Sequence, residues 1–152
     1  MKHLLPFIAV TALMGCGSGS NTTTPTPIKN DLNGDGYVDI IVGDPQISNR
    51  TGKVSILFGP DFSESHTISA EVEYDLFGTD LDASGDINGD GIIDLVVSAM
   101  EDSQEANTNQ DGGKAYVFYG LKDQTQLATL ASNADVIITS TILEGHILGG
   151  EI

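Results

Sequence analysis

Basic residues are scarce: 6 Lys and Arg stand against 22 Asp and Glu in 152 residues, a formal charge of -16. Nucleic-acid binding needs clustered Lys and Arg, so such a chain repels polyanions and nucleic acid is excluded as a partner. Cysteine occurs once, at Cys16, which rules out an intramolecular disulfide and a cysteine zinc cluster. Tryptophan is absent, which argues against propeller repeats of the Gly-His and Trp-Asp type. The histidines, His3, His66 and His146, are isolated, and no Ser or Cys sits in a nucleophile context, so the chain is expected not to be an enzyme. No apolar run reaches the roughly 20 residues that cross a bilayer as a helix. Against these absences, 39% of the residues are hydrophobic, enough for a core and a reason to reject wholesale disorder.

The first 15 residues read as an address. A short basic start at Lys2 precedes an apolar run from Leu4 to Met14, broken only by Pro6 and Thr11, and Gly15-Cys16 follows. This is the pattern of a secretory signal. Leu13-Met14-Gly15-Cys16 resembles the bacterial lipobox, which implies cleavage before Cys16 and a diacylglyceryl group on its thiol. Residues 17–30 are rich in Gly, Ser, Thr and Pro and lack apolar periodicity, so 16–30 is expected to be a lipidated, solvated tether. Resemblance to bacterial lipoproteins implies an exported chain, lipid-anchored at the cell envelope. Gly17, in place of an Asp after the cysteine, implies the outer membrane.

The remainder is organised by an internal repeat. Asp31-Leu32-Asn33-Gly34-Asp35-Gly36-Tyr37-Val38-Asp39-Ile40-Ile41-Val42-Gly43 returns 55 residues later as Asp86-Ile87-Asn88-Gly89-Asp90-Gly91-Ile92-Ile93-Asp94-Leu95-Val96-Val97-Ser98. Gly52-Lys53-Val54-Ser55-Ile56-Leu57-Phe58-Gly59 returns as Gly113-Lys114-Ala115-Tyr116-Val117-Phe118-Tyr119-Gly120 at an offset of 61. A weaker block pairs Leu76-Phe77-Gly78 with Ile147-Leu148-Gly149 at an offset of 71. Offsets that grow only across polar stretches are what loop insertion between repeated strands produces. Short runs rich in Val, Ile, Tyr and Phe, bounded by Gly, Asp and Asn, predict strands at 40–42, 54–58, 68–74, 93–97, 115–119 and 136–142. Residues 124–132 are expected to hold a short helical turn. The architecture is all-β, a propeller or solenoid.

The chemistry lies in Asp-x-Asn-Gly-Asp-Gly-x-x-Asp. Hard cations take oxygen ligands, and a tight loop presents oxygens from alternate positions around one point. Asp31, Asn33, Asp35 and Asp39 with the carbonyl of Tyr37 form one candidate set; Asp86, Asn88, Asp90 and Asp94 with the carbonyl of Ile92 form the other. Gly34, Gly36, Gly89 and Gly91 allow the reversals. So many protein oxygens favour calcium over magnesium, which keeps its waters. An EF-hand would carry an acidic residue at position 12, where Val42 and Val97 stand, and both loops run into strand rather than helix sequence. A plain solvated turn would explain one copy; two copies in the same nine-residue frame, each followed by the same strand, speak for the cation.

Phe77-Gly78, the loop and strand from Asp86 to Met100, and Gly113 to Gly120 together resemble the FG-GAP repeat of integrin alpha-chain propellers and their bacterial relatives. The resemblance implies four-stranded blades with calcium in the loops, and an adhesion or ligand-recognition role. It covers Asp31 to Tyr119 well and the rest weakly. Gly43-Asp44-Pro45 and Ser98-Ala99-Met100 depart from the family's Gly-Ala-Pro turn. A closed ring takes about seven blades, whereas this chain holds about two, so the expectation is a partial propeller cut inside a blade. The repeats are then 31–67, incomplete, 68–139, and the start of a third at 140–152.

The expected whole is a cell-surface lipoprotein with two structural Ca²⁺ ions. Its partners would be the membrane, through acylated Cys16, and an extracellular protein or polysaccharide. Open blade edges would favour self-association. The alternative is the accessory or binding domain of a secreted hydrolase or polysaccharide-acting enzyme whose catalytic part lies outside this sequence.

Overall fold

The computed structural model describes residues 26–100 and 112–140. The signal sequence, Cys16 and most of the tether, the loop at 101–111, His146 and the 147–149 block lie outside the described residues. Among the described residues, seven strands form two antiparallel sheets. The first has the order β1 (Ile40–Asp44), β2 (Lys53–Leu57), β3 (Ser65–Ser69). The second has the order β4 (Leu81–Gly85), β5 (Asp94–Ala99), β6 (Lys114–Phe118), β7 (Val136–Thr139). The all-β, propeller-like and unclosed architecture expected from the sequence is the one found.

The repeat is visible in the register. Gly43 pairs with Val54 in the first sheet, and Ser98 with Ala115 in the second. The main-chain amide after β3, Ala70, donates to the Gly52 carbonyl at 3.2 Å, and its counterpart after β7, Ser140, donates to Gly113 at 3.0 Å. Strand β4 has no equivalent in the first sheet among the described residues. Asn30 alone stands where Gly85, the last residue of β4, stands in the second sheet: its carbonyl accepts from the Asp39 amide at 2.6 Å, and its amide donates to Ala83 of β4 at 2.9 Å. Pro27, which has no amide to give to a ladder, stands just before it.

The core joins the sheets. Val54, Ile56 and Ile68 of the first sheet share one buried cluster with Leu95, Val97, Tyr116 and Phe118 of the second. Phe77, fully buried, meets the edges of Tyr116 (5.3 Å between centroids, 82°) and Phe118 (6.2 Å, 83°). Edge-to-face contacts of this kind add about 0.5–1.5 kcal/mol to the burial itself. The chain reaches this position because Gly78 slides against Gly43, where a Cβ would lie 2.1 Å from the Gly78 carbonyl oxygen. Beside Phe77 the buried Asp75 receives the Lys114 ammonium at 2.8 Å and the Tyr116 hydroxyl at 3.4 Å. This ion pair fastens the segment after β3 to the second sheet.

Two strand expectations need correction. The third strand runs over 65–69 and not 68–74: Ser65, His66 and Thr67 pair with β2, whereas Tyr74 has a positive φ (67°) in a turn. Strand β4 was not expected, because Leu-Asp-Ala-Ser-Gly carries no β-branched or aromatic residue. Residues 124–132 hold short 3-10 turns at Gln124–Gln126 and Ala131–Asn133, and an irregular helical turn at Ile47–Arg50 adds to them.

Candidate functional site

Each nine-residue loop closes on itself through its own side chains. In loop one, residues 31–39, the Asp31 carboxylate accepts from the amides of Asp35 (3.1 Å) and Gly36 (3.0 Å). Asn33 Oδ1 accepts from the same Asp35 amide at 3.2 Å, and Asp35 Oδ1 accepts from Tyr37 at 2.8 Å. Loop two, residues 86–94, repeats this: Asp86 accepts from Asp90 (3.1 Å) and Gly91 (2.8 Å), Asn88 from Asp90 (2.9 Å), and Asp90 from Ile92 (2.8 Å). The glycines at the fourth and sixth positions have φ of 66° and 93° in loop one, and the corresponding pair 80° and 92° in loop two. That is the left-handed region expected of them.

The last aspartate of each frame behaves differently from the first three polar residues. Asp39, 1% exposed, accepts from Leu32 (2.8 Å) and, across the sheet, from Gly59 (3.0 Å). Asp94, also 1% exposed, accepts from Ile87 (2.6 Å), Asn88 (3.2 Å) and Gly120 (2.9 Å). These two carboxylates clamp the loop to the end of the strand that follows β1 or β5. Gly59 and Gly120 went unread as parts of the site, although the repeat shows them, since each closes its copy of the second block at the same offset.

Burial pushes the Asp39 carboxyl above the usual carboxylate range; the amides of Leu32 and Gly59 pull it back, and the charges of Asp31 and Asp35 push it up further. A folded pKa above the unfolded one means that the fold holds more protons in the interval between them. Stability from this group therefore falls as pH rises through that interval, and the cost of the ionised form is fully present above it. A nearby cation would offset that cost.

Among the described residues, no three His, Cys, Asp or Glu side chains are drawn together as a metal cluster. The gathered groups are Asp31, Asn33 and Asp35, and Asp86, Asn88 and Asp90, each trio held on shared main-chain amides. A carboxylate oxygen carries two lone pairs, so one hydrogen bond leaves another free. Two carboxylates, an amide oxygen and the carbonyl of residue 37 or 92 make an all-oxygen donor set that fits a hard cation such as calcium. Beside loop one lies an acidic cleft of about 260 Å³ lined by Asn33, Asp35, Asp61 and Glu64.

Burial separates the loops. Leu32 is 2% exposed, whereas its counterpart Ile87 is 55% exposed; Asn33 is buried and Asn88 is not. The start of loop one lies under Ile92 and the end of β6; at the ends of the two frames the order is reversed, with Tyr37 and Val38 exposed and Ile92 and Ile93 buried.

Comparison with known proteins agrees with the repeat read in the sequence. A family model described as FG-GAP-like repeat matches residues 31–97, and one described as FG-GAP repeat matches 77–118. Integrin alpha-2 of Bos taurus is 35% identical over 82 residues, 47% of this chain and 7% of that protein. Integrin alpha-X of Homo sapiens is 32% identical over 82 residues, with the same shares. Integrin alpha-6 of Gallus gallus is 33% identical over 100 residues, 61% of this chain and 9% of that protein. The chain thus spans less than a tenth of the length of these curated relatives.

Proposed function

Starting from a chain that carries FG-GAP repeats, we propose that it is a non-catalytic binding module of the cell exterior, with calcium held in loops 31–39 and 86–94. Asp31, Asn33, Asp35 and Asp39 with the Tyr37 carbonyl serve the first ion; Asp86, Asn88, Asp90 and Asp94 with the Ile92 carbonyl serve the second. The observation that carries the reading is the repetition of one hydrogen-bonded frame, nearly bond for bond, in two loops of a chain with so large an acidic excess. Calcium has a structural part here, because close carboxylates repel one another without a cation. The integrin likeness supports adhesion or ligand recognition as the module's role. Acylation of Cys16, with anchoring at the bacterial outer membrane, belongs to the same reading and rests on the Leu13-Met14-Gly15-Cys16 sequence. Protein or polysaccharide on the outside is the class of ligand that fits.

Extracellular calcium modules bind with Kd on the order of 10⁻⁴ to 10⁻³ M. At 10 mM calcium each site would then add about 1.4–2.7 kcal/mol to folding. Thermal unfolding in calcium and in chelator tests this. Melting several degrees higher in calcium, with part of the response lost in Asp90→Ala, is expected; identical melting in both would overturn the reading.

A further inference from the structure

The contacts between the two loops carry a consequence for how they fill. We infer that loops 31–39 and 86–94 are one thermodynamically coupled cation-binding unit, in which loop two and the end of β6 form the cover of loop one. The inference deepens the calcium reading and rests on it.

Two sets of contacts make the link. The first is packing. The carbonyl of Ile92 is a candidate ligand in loop two, while its buried side chain lies on loop one: a Cβ on Gly34 would stand 3.3 Å from Ile92 Cγ1. The second is a run of hydrogen bonds between the two clamp aspartates. Asp94 accepts from the Gly120 amide at 2.9 Å; the next amide, Leu121, donates to the Leu32 carbonyl at 3.0 Å; and the Leu32 amide donates to Asp39 at 2.8 Å. Gly120 is wedged there, since a Cβ would lie 2.2 Å from the Ile93 oxygen and 2.8 Å from the Leu32 oxygen. No side chain can enter, so the two backbones lie in direct contact.

A cation in loop two fixes the main chain at residue 92 and the Asp94 carboxylate. Both fixings bear on loop one, through Ile92 against Gly34 and through Gly120 and Leu121 against Leu32. Ordering that loop in advance lowers the entropy it loses on taking its own ion, which is positive coupling without a new ligand. Linkage makes the effect reciprocal: each ion raises the affinity for the other by the same factor.

Calcium titration followed by the amide signals of Gly36 and Gly91 reads each loop separately. In Asp90→Asn, loop one should bind calcium at least about fivefold more weakly than in the unaltered protein, and in Asp35→Asn loop two should weaken by the same factor. Both aspartates are exposed, so the fold survives either change. Ile92→Ala keeps the main-chain carbonyl and should shrink the factor. In chelator, the same variant should speed hydrogen exchange at the Asp35 and Gly36 amides severalfold. Calcium entering both loops, with each affinity unchanged when the other loop is disabled, would overturn the coupling alone. Calcium entering neither loop would overturn the coupling together with the cation reading.

Discussion

Loops 31–39 and 86–94 share a sequence frame and nearly every internal hydrogen bond, yet opposite halves are covered: Leu32 and Asn33 are buried where Ile87 and Asn88 are exposed, and Tyr37 and Val38 are exposed where Ile92 and Ile93 are buried. The difference is carried by neighbours. Leu32 is buried where Gly120 and Leu121, just past β6, lie against its carbonyl and Ile92 packs on the neighbouring Gly34, while Ile87, at the same position of the frame, meets solvent. A repeat of this kind therefore fixes the shape of a loop locally and its surroundings through the following repeat. This is the nearest-neighbour logic of repeat proteins, in which each unit completes the one before it.

The largest expected effect lies where the second sheet is fastened to the segment that precedes it. Lys114→Met leaves Asp75 charged, buried and without its ammonium partner, and should destabilise the chain by about 3–5 kcal/mol in denaturant titration. Because the pair lies outside both loops, the calcium-induced gain in stability should persist; its loss would show that the loops depend on the sheet contact and blur the distinction drawn between them.

Next in size is the covering itself. Leu32→Ala should cost about 2–5 kcal/mol, as buried leucines do, and Ile87→Ala should stay within about 0.5 kcal/mol. Equal costs would break the comparison. The smallest effect is kinetic: in calcium-free protein the amides of Asp35 and Gly36 should exchange more slowly than those of Asp90 and Gly91, because local opening is easier where little is packed on top.

Much of this was legible in the amino-acid sequence, and the remainder was not for definable reasons. Val54, Ile56, Val97, Tyr116 and Phe118 announce strands through β-branched and aromatic side chains, and they are the residues of the core. Strand β4 is silent because it lies at the edge of its sheet, where Asp82 and Ser84 stay exposed and pairing with β5 supplies the order. Strand β3 was displaced because Ser65 and Thr67, exposed beside β2, carry no apolar signal, while Val72 and Tyr74 carry one in a turn. The repeated Asp, Asn and Gly frame of the loops was readable from spacing alone. The inward turn of Asp39 and Asp94 onto distant glycine amides was not, since Gly59 and Gly120 stand 20 and 26 residues away in sequence. That the first half of loop one and the second half of loop two are the buried parts is a tertiary fact that two near-identical sequences cannot encode locally.

The central claim is that both loops take calcium. Native mass spectrometry of the full chain at millimolar calcium tests it directly: two bound ions per chain are predicted, falling to one in Asp35→Asn and to one in Asp90→Asn. A chain that carries no calcium, or whose bound count is the same in all three proteins, would contradict the account.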